Sequence, residues 1–293
     1  MPRNEERLAA FLAQRKRLLR LAYRHLGSVA EAEDIVQEAW LRFGKADSVE
    51  DAPRLLSTIV TRLCLDRAKS AEARKLAYVG AWLPEPVAGE AFEAADDQTL
   101  DISFAVMRTL ENLSPAERAA FFLHDLWDLS FDEIGATLSR SPAACRKLAS
   151  RARAALAGAR EQRFHPRPED LARFVEVFRG AVERGDPAPL KALLAHDAEL
   201  VSDGGGKKQA ALNVLTGADA VARFLIGVAR KNVDVDEVGG YPAVINDAPG
   251  LVVTIAGEID QIFSFDMDGD GLIRTIYIVR NPDKLTGLAR QRL

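Results

Sequence analysis

The sequence predicts a multidomain chain: two all-α modules, a helical bundle and a helix-turn-helix, followed by an α+β domain with a curved antiparallel sheet. Three observations carry that prediction. Apolar residues recur at helical spacing behind recognisable helix starts through the N-terminal half. From Val233 onward β-branched residues dominate and alternate. Pro84 and Pro86, and later His165-Pro166-Arg167-Pro168, interrupt the pattern and force extended paths between modules. The expected boundaries are 1–75, a linker over 76–105, 106–160 and 169–293, and 293 residues are enough for such a division.

In order, residues 5–26 read as a helix ending at Gly27, and 29–44 as a second. On the second, Asp34, Gln37 and Glu38 share one face, with Trp40 and Phe43 anchoring the other. After the loop 45–53 a third helix starts at Pro53. It buries Leu55, Leu56, Ile59, Val60, Leu63 and Cys64 and points Arg62, Arg67, Lys69, Arg74 and Lys75 outward. In 106–160, Ser114-Pro115 with Glu117, Ser130 with Glu133, and Ser141-Pro142 each mark a helix start. The last of these helices carries Cys145, Ala149, Ala152 and Leu156 as a buried stripe, opposite Arg146, Lys147, Ser150, Arg151 and Arg153. A face of one charge sign on a helix with small core residues fits a recognition helix in a major groove better than a solvated face. Beyond the second proline run, 169–184, 187–195 and 217–231 read as helices and 196–202 as a strand. Ile255, Ile259, Phe263 and Phe265 alternate along one strand, and Leu272, Ile276 and Ile278 share a face on the next.

Composition narrows the function classes. The formal net charge is −4, yet from Arg140 to Arg167 the only acid is Glu161. The opposite bias holds from Glu85 to Glu111, where the only base is Arg108. Local fields, rather than net charge, are what a phosphate backbone senses. No apolar run is long enough to span a membrane, and the charged N-terminus lacks the pattern of a secretory signal, so a cytoplasmic location is expected. Two cysteines, Cys64 and Cys145, fall in apolar stripes and read as core residues rather than a disulfide or metal pair.

Ala32–Trp40 (AEDIVQEAW) resembles the second-region helix of sigma-70-type factors of the extracytoplasmic-function group, and the stretch from Ser114 to Arg153 resembles their fourth region. Residues 169–293 are similar to a SnoaL-like domain of the nuclear-transport-factor-2-like superfamily, whose cone has a curved sheet. WLPEP (82–86), DGGGK (203–207) and NPDKL (281–285) resemble signatures of the SigJ-like subgroup. The resemblance implies a subunit that binds RNA polymerase core and promoter DNA. Asp34, Gln37 and Glu38 would dock on the polymerase clamp. The third helix and the loop before it would open the −10 element, through Arg62, Arg67, Lys69, Arg74 and Lys75. Arg146, Lys147, Ser150, Arg151 and Arg153 would read the −35 element. An interdomain regulatory set would comprise Trp82, Pro84, Glu85, Asp203, Gly204, Lys207, Asn281, Asp283 and Lys284, acting in cis with no separate anti-sigma factor. Two positions depart from the group. Thr61-Arg62 stands where many members carry Arg-Asn, and Gly135 where Ala is common, which suggests a looser helix there.

Two other readings remain open at this level: a helix-turn-helix regulator without polymerase, and a small-molecule-binding or enzymatic SnoaL-like domain. For the latter, His196, Asp197, Asp203 and Asp260 are the candidate acids, but their spacing does not compel catalysis, and the expected enzyme class is none. The run Asp266-Met267-Asp268-Gly269-Asp270-Gly271 matches half of a calcium loop but ends on Tyr277 where Glu is needed, so a hairpin turn is the better reading. DGGGK lacks the order and terminal hydroxyl of a phosphate loop and reads as a loop contacting the linker. No metal or cofactor is expected.

Overall fold

The computed structural model describes residues 2–76, 78–88, 101–161, 164–231 and 237–290, with side chains for all of these except 2–4, 69–76, 159–161 and 289–290. Two compact units emerge. One comprises 1–77 and 106–159 with 90–102; the other comprises 78–89, 103–105 and 160–293.

The first unit begins with α1 (Pro2–Leu26), α2 (Val29–Gly44) and α3 (Ala52–Leu76). Gly27 sits at φ 70°, a left-handed stop that lets its N–H donate to the Tyr23 carbonyl at 2.7 Å. Ser28 then caps α2. Leu18, Leu21 and Tyr23 of α1, Ile35, Ala39 and Phe43 of α2, and Leu56, Val60 and Cys64 of α3 are buried as the bundle core. After α4 (Phe104–Glu111) comes α5 (Pro115–Phe121), which runs on through a π-helical turn, Phe122–Leu126, before α6 (Phe131–Leu138) and α7 (Pro142–Glu161). Both anticipated capping boxes are present. Glu117 accepts from the Ser114 N–H at 2.9 Å, and Glu133 from the Ser130 N–H at 2.7 Å.

Gly135 overturns one expectation. An ideal Cβ there would lie 2.7 Å from the Arg140 carbonyl oxygen, because the turn between α6 and α7 folds back over the glycine. Arg140 donates its N–H to the Gly135 carbonyl at 3.0 Å. The glycine is thus a close-approach position and not a loose spot.

In the second unit the segment 78–88 precedes α8 (Pro168–Arg184), α9 (Ala188–Lys191), β1 (Leu194–Asp203), β2 (Leu215–Thr216) and α10 (Ala218–Lys231). Then follow β3 (Val238–Ile245), β4 (Ala248–Ile255), β5 (Glu258–Met267), β6 (Ile273–Val279) and α11 (Pro282–Arg290). The strands form one six-stranded sheet in the order β2-β1-β6-β5-β4-β3. The helices-then-sheet order is as anticipated, but the sheet is mixed: β1 and β6 pair in parallel, with Val201 opposite Tyr277. The expected helix over 187–195 stops at α9, and β1 starts at Leu194.

A second correction concerns β4 and β5. Ile255 and Ile259 lie on different strands, since Ala256 (φ 50°) and Gly257 (φ 79°) turn the chain between them. A register shift at Asp260 then puts Ile259 on the face opposite Phe263 and Phe265. The Asp266–Gly271 run is a hairpin turn, in which Asp268 accepts from the Asp270 and Leu272 N–H groups at 3.0 and 2.9 Å.

The sheet buries both faces. Phe174 of α8 and Leu225 of α10 pack with Phe263, Phe265, Ile276 and Ile278. On the other face Leu83 and, from α11, Leu285 and Leu288 pack with Val201, Ile262, Tyr277 and Val279.

Candidate functional site

The helix-turn-helix is built by its caps. Ser130 fixes the start of α6, Ser139 ends it in the left-handed region at φ 54°, and the Ser141 hydroxyl accepts the Ala144 N–H at 3.2 Å to open α7. Cys145, Ala149, Ala152 and Leu156 are buried, so the opposite side of α7 is fixed. Arg146, Lys147, Ser150 and Arg151 are exposed on that side. Arg146 lies over the Phe131 ring, 5.0 Å from its centroid, which steadies its guanidinium without burying it. Arg153 differs from these four. It is half-buried and pairs with Asp125 at 2.7 Å, bracing α7 against the π-helical turn.

On α2, Asp34 and Gln37 are exposed and Glu38 is held by Arg42 at 3.0 Å. Gln37 lines a groove of about 300 Å³ whose walls include Phe11, Val36, Trp40 and Leu41. Exposed Leu8 and Leu12 of α1, and Leu41 itself, extend the apolar surface of this unit. A polar edge beside an apolar groove is the surface that an amphipathic helix fits. On α3, Arg62 is exposed and Arg67 reaches Glu31 at 3.7 Å, while Thr61 is buried. The side chains of Lys69, Arg74 and Lys75 lie outside the described residues.

In the second unit, WLPEP, DGGGK and NPDKL meet at one buried carboxylate. Asp203, fully buried at the end of β1, accepts from the Tyr78 hydroxyl (2.6 Å), the Leu83 N–H (2.9 Å), the Gly205 N–H (3.0 Å) and the Lys284 amine (2.7 Å). Lys284 Nζ also donates to the Leu83 carbonyl and lies 4.1 Å from the Trp82 ring centroid and 4.9 Å from that of Tyr78. Asn281 donates to the Tyr78 oxygen at 2.7 Å. Burial, reinforced by the adjacent carboxylate, pushes the Tyr78 phenol up and keeps it a donor. Gly205 is obligatory: φ is 61° and a Cβ would stand 2.3 Å from the Asn281 amide. Gly204 is as tightly placed, its Cβ position 2.2 Å from the Lys208 carbonyl. Pro84 is buried and Glu85 lies beside Gly287 of α11. Asp283 pairs with Lys207 at 2.6 Å, both exposed. Nothing in the sequence marked Tyr78, whose partners lie 125 and 203 residues away.

The alternative chemistries fare differently. Lys207 and Lys208 are both taken by carboxylates, Asp283 and Asp260, and the N–H groups of Gly205, Lys207 and Lys208 donate to Asp203 and the Gly204 carbonyl, so the loop has the geometry of a brace. Asp260 also binds Arg280 at 2.8 Å. Burial pushes its carboxyl up, but the hydrogen bond from Lys208 and the Arg280 charge outweigh that and hold it below the ordinary carboxylate range. His196 and Asp197 are exposed on β1. Among the described residues no group of three or more His, Cys, Asp or Glu is placed to hold a metal ion, and no helix is long and apolar enough to cross a membrane.

Comparison with known proteins agrees with this geometry. Residues 11–74 match the family model for sigma-70 region 2, and 103–156 that for sigma-70 region 4. The ECF RNA polymerase sigma factor SigJ of Mycobacterium tuberculosis is 36% identical over 299 residues, 96% of this chain and 93% of that relative. The crystal structure of SigJ from the same organism superposes with a TM-score of 0.73 at 32% identity, covering 96% of this chain and 98% of that one. A probable ECF sigma factor, SigI, also from M. tuberculosis, is 38% identical over 151 residues, 50% of this chain and 52% of the relative. The chain therefore belongs to the extracytoplasmic-function branch of the sigma-70 family and is a sigma factor that directs transcription initiation.

Proposed function

We propose that residues 1–75 and 106–160 act as a two-handed promoter reader on RNA polymerase core in the cytoplasm, and that 169–293, acting through the 76–105 linker, restrains them in cis without a separate anti-sigma factor or any catalytic step. Asp34, Gln37 and Glu38, with the groove beside them, dock on the polymerase clamp. Arg62 and Arg67, with Lys69, Arg74 and Lys75 farther along α3, hold the opened −10 strand. Arg146, Lys147, Ser150 and Arg151 read the −35 duplex, and Arg153 positions α7 through Asp125.

The observation that carries the reader is the fixed, exposed basic face of α7 opposite a buried small-residue stripe. The observation that carries restraint is the Asp203–Lys284 knot, which ties 78–88 to the sheet. An extended chain spans about 3.3–3.6 Å per residue. Linker residues tied to the sheet are unavailable to bridge −10 and −35.

Run-off transcription with purified core polymerase, on templates selected from a genomic library, tests both parts. The full chain is expected to confer specific initiation, and Lys284→Met to raise the yield. Absence of specific initiation sinks the reader. An unchanged yield from Lys284→Met sinks the restraint alone.

A further inference from the structure

Beside the Asp203 knot the second unit holds a pocket of about 470 Å³ that promoter reading does not use. Small-molecule sites span about 300–1,000 Å³, so the size suits a small ligand. The pocket is separate from the space between the sheet and α8, which the packed rings of Phe174, Phe178 and Phe265 fill. Loop 204–212 forms most of its lining, and that loop is held in shape. The Lys207 and Lys208 N–H groups both donate to the Gly204 carbonyl at 3.0 Å, and Arg280 donates to the Gln209 carbonyl at 2.9 Å. The linker supplies the rest through Val79 and Gly80. A Cβ at Gly206 would stand 3.3 Å from Val79, and one at Gly80 would stand 3.8 Å from Leu212, so linker and loop are in close contact.

The lining is chemically mixed. Ser202 of β1 is 2% exposed, and its hydroxyl has no hydrogen-bond partner among the described residues. Val79 and Leu212 are 54% and 64% exposed, so apolar surface stands there without cover. Lys207 pairs with Asp283, and Lys208 pairs with Asp260, which Arg280 also binds. Three cations thus meet two carboxylates, and one positive charge is left uncompensated among these five side chains. We propose that the pocket binds a small monocarboxylic acid with an apolar body. Its carboxylate accepts from the Ser202 hydroxyl and from ammonium protons that the ion pairs leave free, and its body covers Val79 and Leu212. A single negative charge matches the local excess. Because Val79 and Gly80 belong to the linker, the site is complete only while the linker is docked. Acid binding and linker docking therefore strengthen each other by the same factor. The acid is then a co-repressor, a last step that rests on the cis restraint proposed above.

Cinnamate, a small aromatic monocarboxylate, is the probe. It is titrated into the full-length chain and followed by amide chemical shifts, with neither polymerase nor DNA present. Shifts at 79–80 and 202–212 are expected to saturate in the low millimolar range, the affinity open to so small a molecule. Cinnamyl alcohol, which has the same shape without the charge, is expected to bind about tenfold more weakly, and so is cinnamate to Ser202→Ala, the scale of one hydrogen bond to a charged group. Leu212→Glu, at a side chain exposed enough to spare the fold, is expected to abolish binding and serves if Ser202→Ala does not fold. Docking is read from the Leu83 N–H, which Asp203 holds and whose hydrogen exchange is expected to slow further with cinnamate. Shifts that are absent, that do not saturate, or that fall on α8 and α10 instead overturn the site. Equal binding of the alcohol overturns the anionic class of ligand, and unchanged Leu83 exchange at saturating cinnamate overturns the coupling. The titration needs no transcription, so its failure leaves the promoter reader standing, and a failed run-off assay leaves the pocket standing.

Discussion

Asp203 shows how one side chain can organise a whole segment. Its carboxylate has no solvent contact and four donors, one of them a cation that is itself 13% exposed. Removing one partner of a buried ion pair strands the other, at a cost of about 3–5 kcal/mol. Asp203→Ala is therefore expected to lower the stability of the second unit by that order in urea unfolding, and to expose the Leu83 amide to hydrogen exchange. Lys207→Ala, which breaks a pair exposed on both sides, is expected to cost no more than about 0.5 kcal/mol. Comparable losses from the two variants would refute the knot. DGGGK and NPDKL were legible in the sequence as two polar motifs able to meet Trp82 of WLPEP. Their common centre was not, because a hydrogen bond between Tyr78 and Asp203 leaves no local pattern.

Asp260 carries the pH dependence at this scale. Its carboxyl titrates below the ordinary range in the fold because Lys208 and Arg280 together outweigh the burial that pushes it up. A group depressed on folding stabilises fully above its unfolded value, about 3.9, and loses that contribution as pH falls through the folded value. Thermal midpoints of the native chain are expected to drop below about pH 4. Asp260→Asn is expected to flatten that limb, and an identical acid limb in the variant would remove Asp260 from the account.

At the scale of elements, local signals decided what could be read. Ser114, Ser130 and Ser141 each start a helix, because an N-cap bond, completed to a capping box at the first two, closes within four residues. The parallel pairing of β1 with β6 was not readable, because it joins residues near 200 with residues near 277 and depends on everything folded between them. The turn at Ala256-Gly257 was missed because apolar residues on both sides mimic one continuous alternation. Helix glycines make the same point about environment. Gly135 and Gly227 both sit inside helices, where Ala is worth up to about 1 kcal/mol more. A Cβ at Gly227 meets nothing within 4 Å, whereas at Gly135 it meets the Arg140 carbonyl at 2.7 Å. Gly227→Ala is expected to stabilise by about 0.5–1 kcal/mol, and Gly135→Ala to destabilise by 1 kcal/mol or more as the α6–α7 turn is forced open. Denaturant midpoints that rise for both variants would mean the turn is not tightly closed.

For the whole molecule, a net charge of −4 and a DNA-reading role are reconciled by where the charges stand. Among the described residues the exposed cations of α7 are Arg146, Lys147 and Arg151, the last only loosely paired with Glu117 at 3.7 Å and 72% exposed; Arg153, in the same stripe of sequence, is neutralised by Asp125 at 2.7 Å. Periodicity placed all four on one face but could not separate them, because Asp125 belongs to a different helix and approaches only in the fold. Each phosphate neutralised releases a counterion, so log affinity falls with log salt at about −0.9 per contact. Three contacts give the full-length chain on duplex DNA a slope near −2.7, and Lys147→Ala is expected to bring it to about −1.8. Arg153→Ala removes the same formal charge, yet the slope should stay where it was while the melting temperature falls, since Asp125 loses its partner and α7 its brace. Salt titrations by fluorescence anisotropy separate these outcomes. If Arg153→Ala flattens the slope as much as Lys147→Ala does, Arg153 leaves Asp125 to grip the phosphates, and the recognition face is wider than the free fold presents it.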